Sequence, residues 1–333
     1  MLKIINGGIQ TLVEDWPGRI GYLNQGISPS GAFDHFAHRA ANLVVGNPVT
    51  EATLEIAAGL FEAEFGIDTV ISITGTDMEP SVNGQPVPMW ESIRVSKGDK
   101  IRFKRFGELG VRAYLGIAGG IDVPLYLGSK STCIYGSYGG FEGRRLQRGD
   151  ELKLIKPTKG LKDLESRKFK KELIPEYSIT WEIRVLAGVS SAPDYFTEEG
   201  MDWFFSEPRL ILKEADRSAY RLQVTPEEMR KTYARENGGQ GGSHPTNVVD
   251  HAYALPGAVN TCGDAIIILN PDGPSAGGYT CPFAVIYADI WKVGQGAPVR
   301  DSIKFTCVTL EEALEARIEQ DKLFTEQAIQ IRR

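Results

Sequence analysis

Most of this sequence reads as short alternating apolar and polar runs broken by Gly and Asp turns, a pattern that favours strands over long helices. Candidate strands fall at 67–74, 92–96, 100–106, 111–118 and 151–155, then at 181–186, 265–269, 283–287 and 302–308. Asn83-Gly84 is a hairpin signal, and Lys97-Gly98-Asp99 joins two alternating runs. Helices are few. Asp34 is placed to cap one that runs to about Val45 and closes at Gly46. Thr225-Pro226-Glu227-Glu228 combines an N-cap threonine, a first-turn proline and a capping-box glutamate, and Thr309-Leu310-Glu311-Glu312 repeats the box before a final helix.

A turn aspartate precedes an alternating strand at Gly98-Asp99, Gly149-Asp150 and Arg300-Asp301, which suits a chain built of related β halves. Residues 157–176 are rich in Lys, Glu and Pro and poor in large apolar side chains, so they read as a connector. The expectation is a mainly β protein of two barrel-like halves: residues 1–160, and residues 177–333 with a C-terminal helix.

The formal charge of −6 argues against nucleic-acid or anionic-membrane binding, and no apolar run approaches a bilayer-spanning length. The first residues lack a signal-peptide pattern, so a cytoplasmic protein is expected. Cys133, Cys262, Cys281 and Cys307 show no zinc or dithiol spacing and are expected to be buried, reduced and structural. His35 and His38 share a helix face at i, i+3, but no third ligand accompanies them. A solvated face is expected there, with no metal.

Paired glycines at 119–120, 139–140, 238–239, 241–242 and 277–278 allow backbone to approach a ligand closely, though any single pair is as well explained by a turn. No phosphate-cradling glycine motif is present. His244 lies in the polar loop Gly241-Gly242-Ser243-His244-Pro245-Thr246-Asn247, a composition that fits a substrate loop. The run Asn270-Pro271-Asp272-Gly273-Pro274 leaves a very apolar strand and carries amide and carboxylate acceptors suited to an N–H-rich planar substrate; a turn with capping side chains is the alternative. Neither a serine-hydrolase elbow nor a Cys-His pair stands out.

These segments resemble a known family. The matching residues include Gly8-Ile9-Gln10-Thr11, Pro29-Ser30-Gly31-Ala32-Phe33-Asp34, Ala41-Asn42-Leu43-Val44-Val45-Gly46-Asn47, Gly119-Gly120-Ile121-Asp122 and Leu127-Gly128-Ser129-Lys130. The chain is similar over nearly its whole length to the allophanate hydrolase subunit 2 family, also called KipA or the C component of 5-oxoprolinase. It also resembles the first part of the urea carboxylase carboxyltransferase domain. The loop from Gly241 to Asn247, Gly257-Ala258-Val259-Asn260 and Pro271-Asp272-Gly273-Pro274-Ser275 lean toward the urea carboxylase branch, whereas Tyr279 fits the other. Relatives carry Gly-Pro followed by His or Gln where this chain has Gly188-Val189-Ser190, and Arg-Leu-x-Gly-Pro where it has Arg221-Leu222-Gln223-Val224-Thr225.

The resemblance implies two cyclophilin-like β-barrel halves in tandem and one part of a biotin-dependent carboxyltransferase. Such a protein moves a carboxyl group from carboxybiotin to a nitrogen of urea or a guanidine-like relative. It implies Asp272 and Asn247 as acceptors, with His244, Asn260 and Arg217 orienting or donating. Ser30, Asp34, Gly277, Gly278 and Tyr279 are implied around substrate or biotin. Biotin is expected on a separate carrier and not covalently on this chain. The implied partners are a KipI-like protein of the allophanate hydrolase subunit 1 family, a biotin carboxyl carrier and a biotin carboxylase. The alternatives are the C component of 5-oxoprolinase, an enzyme that couples ATP use to ring opening of 5-oxoproline, and a non-catalytic KipA-like regulatory protein.

Overall fold

The computed structural model describes residues 1–238, 244–248, 255–274 and 278–331. The chain divides into two compact units: Met1–Ile20 with Ser30–Tyr177 and Gln320–Arg333, and Gly21–Pro29 with Ser178–Glu319. Both are mainly β, as the turn-punctuated sequence predicts.

In the first unit, a seven-stranded sheet runs in the order Ile121–Asp122, Glu151–Leu154, Leu2–Gly7, Phe61–Phe65, Lys100–Phe103, Pro80–Val82 and Gln85–Pro86. A five-stranded sheet runs Gln10–Glu14, Thr53–Ala57, Arg112–Ile117, Thr69–Gly75 and Ser92–Val95. Their facing residues, among them Ile4, Phe61, Ile101, Leu54, Ile73 and Leu115, form one fully buried core. Asp99 and Asp150 act alike: each carboxylate accepts from the backbone N–H three residues back, Ser96 and Gln147, at 2.7 Å.

Helix His35–Val44 lies on the five-stranded sheet. Asp34 caps it, accepting from the Ala37 N–H at 2.8 Å, and Gly46 at φ 72° ends it. Thr74 and Ser72 donate to the helix carbonyls of Ala37 and Ala41 at 2.7 Å. Gly116 permits this approach, since a Cβ there would stand 2.9 Å from the Ala41 carbonyl oxygen. The solvated face expected for His35 and His38 is not found, because all residues of this helix are buried. His38 Nδ1 meets Thr53 Oγ1 at 2.8 Å, and burial pushes its pKa down to about 3.

The expected connector is also corrected. Residues 157–176 belong to the first unit, and Arg167–Phe169 pairs antiparallel with Ile329–Ile331, which brings the C-terminal residues to the first unit as well. Buried Arg167 donates to the Val44 and Leu43 carbonyls at 2.9 Å, satisfying the helix C-terminus with a cation.

The second unit is a closed barrel in the order Thr180–Ala187, Thr280–Val285, Ala258–Cys262, Ala265–Leu269, Ala219–Leu222, Arg209–Ala215 and Ser302–Cys307. Parallel pairing of its first and last members closes it. Helix Pro226–Thr232 carries the predicted capping box, with Glu228 N–H donating to Thr225 Oγ1 at 3.2 Å and Thr225 N–H donating to Glu228 at 2.9 Å. Thr225→Ala is expected to cost about 1 kcal/mol in thermal unfolding, the usual effect of losing such a cap. All four cysteines are free; Cys133 and Cys281 are buried, but Cys262 is half-buried and Cys307 exposed, contrary to expectation. Cys307 ends its strand, where the side chain has left the core. No helix among the described residues is long and apolar enough to cross a membrane.

Candidate functional site

The period of two along the barrel strands fixes where a site can form. Tyr220, Leu222, Val259, Ile266 and Ile268 point inward and are at most 1% exposed. The alternate residues Ala219, Arg221, Asn260, Cys262, Ile267 and Leu269 face outward, and they line a cavity of about 430 Å³. Asn260 sits opposite Ile267, and Cys262 opposite Ala265, where the hairpin turns through Gly263-Asp264. Glu214, Asp216, Ser218, Pro274 and Tyr279 complete the wall. The cavity thus offers an apolar floor, an amide, a guanidinium, two carboxylates, hydroxyls and a thiol, the mixture typical of small-molecule sites.

One wall is held by two interlocked turns. Arg217 Nε and Nη2 donate to the two carboxylate oxygens of Asp272 at 2.9 and 3.2 Å, and both side chains are fully buried. The Asp272 N–H donates to the Arg217 carbonyl at 2.9 Å, and Asn270 Nδ2 donates to the Asp216 carbonyl at 2.7 Å. Ser28 Oγ donates to the Gly273 carbonyl at 2.5 Å. Asp272 and Arg217, expected as substrate acceptor and donor, are therefore each other's partners behind the wall.

The opposite wall is Tyr279, which is 37% exposed. Its hydrogen bond with the Cys262 thiol holds the phenol above its ordinary pKa. Asn247 pairs with Tyr279 in an isolated β-bridge. His244 lies beyond, its Nδ1 2.9 Å from Thr246 Oγ1 and its Nε2 3.2 Å from Asp264 Oδ1. Gly278, at φ 101°, accepts from the Val248 N–H. Gly277 lies outside the described residues.

Ser30 and Asp34 belong to the first unit. Ser30 is buried at φ 55°, and Asp34 is occupied as the helix cap, with its second oxygen 3.4 Å from the Tyr177 hydroxyl. Tyr177 lines a separate cavity of about 400 Å³ in that unit, together with Trp90, Asp77 and Arg105. No three His, Cys, Asp or Glu side chains gather as a metal site among the described residues.

Of the residues expected from sequence, Asn260 and Tyr279 line this cavity and Asn247 is bridged to Tyr279; Asp216, Ser218, Arg221 and Cys262 line it without having been singled out, and Asp264 contacts His244. Strict alternation in 219–222 and 265–269, with the outward residues taken as seriously as the core, would have located Arg221 and the cavity floor.

Comparison with known proteins follows the same outline. The chain is 39% identical over 324 residues to the urea amidolyase of Saccharomyces cerevisiae, a match covering 96% of this chain and 17% of that protein. It therefore spans under a fifth of that relative's length. It is 34% identical over 334 residues to the C component of 5-oxoprolinase from Escherichia coli, with 98% of each chain covered. The crystal structure of Kluyveromyces lactis urea carboxylase superposes with a TM-score of 0.90 at 36% identity, over 98% of this chain and 29% of that one. Residues 25–307 match the profile of the carboxyltransferase domain, subdomain A and B, and the chain belongs to that family.

Proposed function

We propose that this chain supplies the A and B subdomains of a biotin-dependent carboxyltransferase that transfers a carboxyl group to a nitrogen of urea or a guanidine-like substrate. The observation that carries this reading is the match to yeast urea amidolyase across 96% of the chain at 39% identity. The expected partners are a KipI-like protein of the allophanate hydrolase subunit 1 family, a biotin carboxylase and a biotin carboxyl carrier.

The outward cavity of the second unit suits the chemistry. A ureido ring needs apolar contact on its faces and donors at its oxygen, and Ile267 and Leu269 stand beside Asn260, Ser218, Arg221 and Tyr279. Biotin, when bound, supplies the carboxyl group and takes up the proton that the substrate nitrogen releases. The residues of this chain bind and orient. Arg221 and the Tyr279 hydroxyl are donors for negative charge developing on an oxygen. Asn260 and Asn247 offer amide oxygens to substrate N–H groups. Asp272 and Arg217, neutralising each other, hold the turn that shapes the wall; His244 orients the segment bearing Asn247.

A second reading is favoured by the end-to-end match to the C component of 5-oxoprolinase, 98% of both chains. One assay separates the two. The chain is co-expressed with its KipI-like partner and supplied with ATP, labelled bicarbonate, biotin carboxylase and biotinylated carrier, then offered urea, guanidine or 5-oxoproline. Label in a urea-type product supports the first reading. Consumption of 5-oxoproline without label replaces it with the second.

A further inference from the structure

The hairpin between Ala258–Cys262 and Ala265–Leu269 turns through Gly263-Asp264, and its tip is tied to residues 244–248. The Gly263 N–H donates to Thr246 Oγ1 at 3.0 Å, and the Tyr233 hydroxyl donates to the Gly263 carbonyl at 2.8 Å. The Tyr233 ring also meets His244 edge-on at 5.8 Å. The Thr246 N–H donates to His244 Nδ1 at 3.3 Å, so Nδ1 accepts and the proton of a neutral imidazole sits on Nε2, facing Asp264 Oδ1 at 3.2 Å. The exposed Arg230 donates to both Asp264 oxygens, from Nη2 to Oδ2 at 3.1 Å and from Nε to Oδ1 at 3.4 Å.

From this knot, pairing continues to the cavity wall. The Val248 N–H donates to the Gly278 carbonyl at 2.6 Å, and the Thr280 N–H to the Thr246 carbonyl at 3.0 Å. Between those two bonds lies Tyr279, bridged to Asn247 and sharing the cavity wall with Cys262. We infer that Asp264 is a positioning residue: through His244 it latches residues 244–248 to the hairpin tip and so fixes Tyr279 against Cys262 on the cavity wall. Its bearing on turnover rests on the carboxyltransferase reading, but its effect on the wall does not.

The protein carries its own reporter. Cys262 is half-buried beside Tyr279, Cys307 is exposed, and Cys133 and Cys281 are buried. Alkylation by N-ethylmaleimide, followed by peptide mass spectrometry, gives the Cys262 rate relative to Cys307. Asp264→Ala and His244→Ala are each expected to raise that ratio about tenfold, the response to losing one interaction of ~1.4 kcal/mol from an opening equilibrium. The double variant should gain little beyond either single one, because both remove the same contact. Asp264→Glu, which keeps the carboxylate, should stay near the parent ratio. In the assembled enzyme the two alanine variants should raise KM for the accepting substrate more than they lower kcat.

An unchanged Cys262 ratio in Asp264→Ala overturns the latch. So does simultaneous labelling of Cys133 and Cys281, which would show that Asp264 only supports the fold. Should Asp264→Ala fail to fold, Asp264→Asn keeps a turn-compatible residue without the charge, and the same ratio decides. An assembly with no transfer activity removes the carboxyltransferase reading and leaves the thiol result intact.

Discussion

Asp272→Ala is expected to destabilise the second unit by about 3–5 kcal/mol, because it removes the carboxylate that a fully buried guanidinium holds through two hydrogen bonds. Arg217 and Asp272 are both fully buried and joined at 2.9 and 3.2 Å, so water cannot stand in for the missing carboxylate. Calorimetry should show the transition move down by on the order of 10 °C. Replacing both partners with apolar residues of similar volume, Arg217→Met with Asp272→Leu, should recover much of the loss, since neither charge then remains to be desolvated. The double substitution also separates support from chemistry. If Asp272 serves only to hold the wall, a folded double variant retains substantial transfer activity. If its carboxylate receives substrate, activity is lost although stability returns. An Asp272→Ala protein as stable as the parent would contradict the buried pair itself.

The second large effect is on acid stability. Burial holds the His38 imidazole at about 3 in the folded chain, against 6.5 for an ordinary histidine. The unfolded chain therefore takes up a proton that the folded chain refuses, and this contribution to stability shrinks as pH falls from 6.5 toward 3. Above 6.5 both states are neutral at this site, and no slope arises from it. Between about pH 7.5 and pH 5 the loss attributable to His38 is about 2 kcal/mol, from ~1.4 kcal/mol per unit of displaced pKa. Denaturation midpoints of the parent and of His38→Gln, measured at both pH values, isolate this from carboxylate titration. The parent should lose more stability than the variant across the interval. Parallel losses would mean that His38 is protonated or solvated in the folded protein.

What the sequence discloses about this protein follows from the range of the forces involved. Strands such as Ala265–Leu269 and Ser302–Cys307 are legible because alternation and turn residues act within a few positions. The box at Thr225 is legible for the same reason. Residues 157–176 look like a connector because their order comes from distant partners: Arg167 answers the carbonyls of Val44 and Leu43, and its strand pairs with Ile329–Ile331. The burial of His35 and His38 is hidden likewise, since helix His35–Val44 is covered by Phe169 and Phe324 as well as by the sheet. In the candidate site, Asn260 and Tyr279 stand out as polar residues in special segments, and both line the cavity. Arg217 and Asp272 stand out equally. Their composition cannot reveal that the fold pairs them with each other, and Asp264 gives no local sign of its contact with His244.

The transfer half-reaction tests the central claim most directly. Carrier protein charged with labelled carboxybiotin is isolated, freed of ATP and bicarbonate, and mixed with this chain and its KipI-like partner in the presence of urea or guanidine. The account predicts that label leaves the carrier and appears as N-carboxylated product in a single turnover, and that Asn260→Ala, on the cavity floor, slows this by at least about tenfold, the effect of ~1.4 kcal/mol in a barrier. Label that stays on the carrier with every accepting substrate, while the same assembly opens the ring of 5-oxoproline, would contradict it.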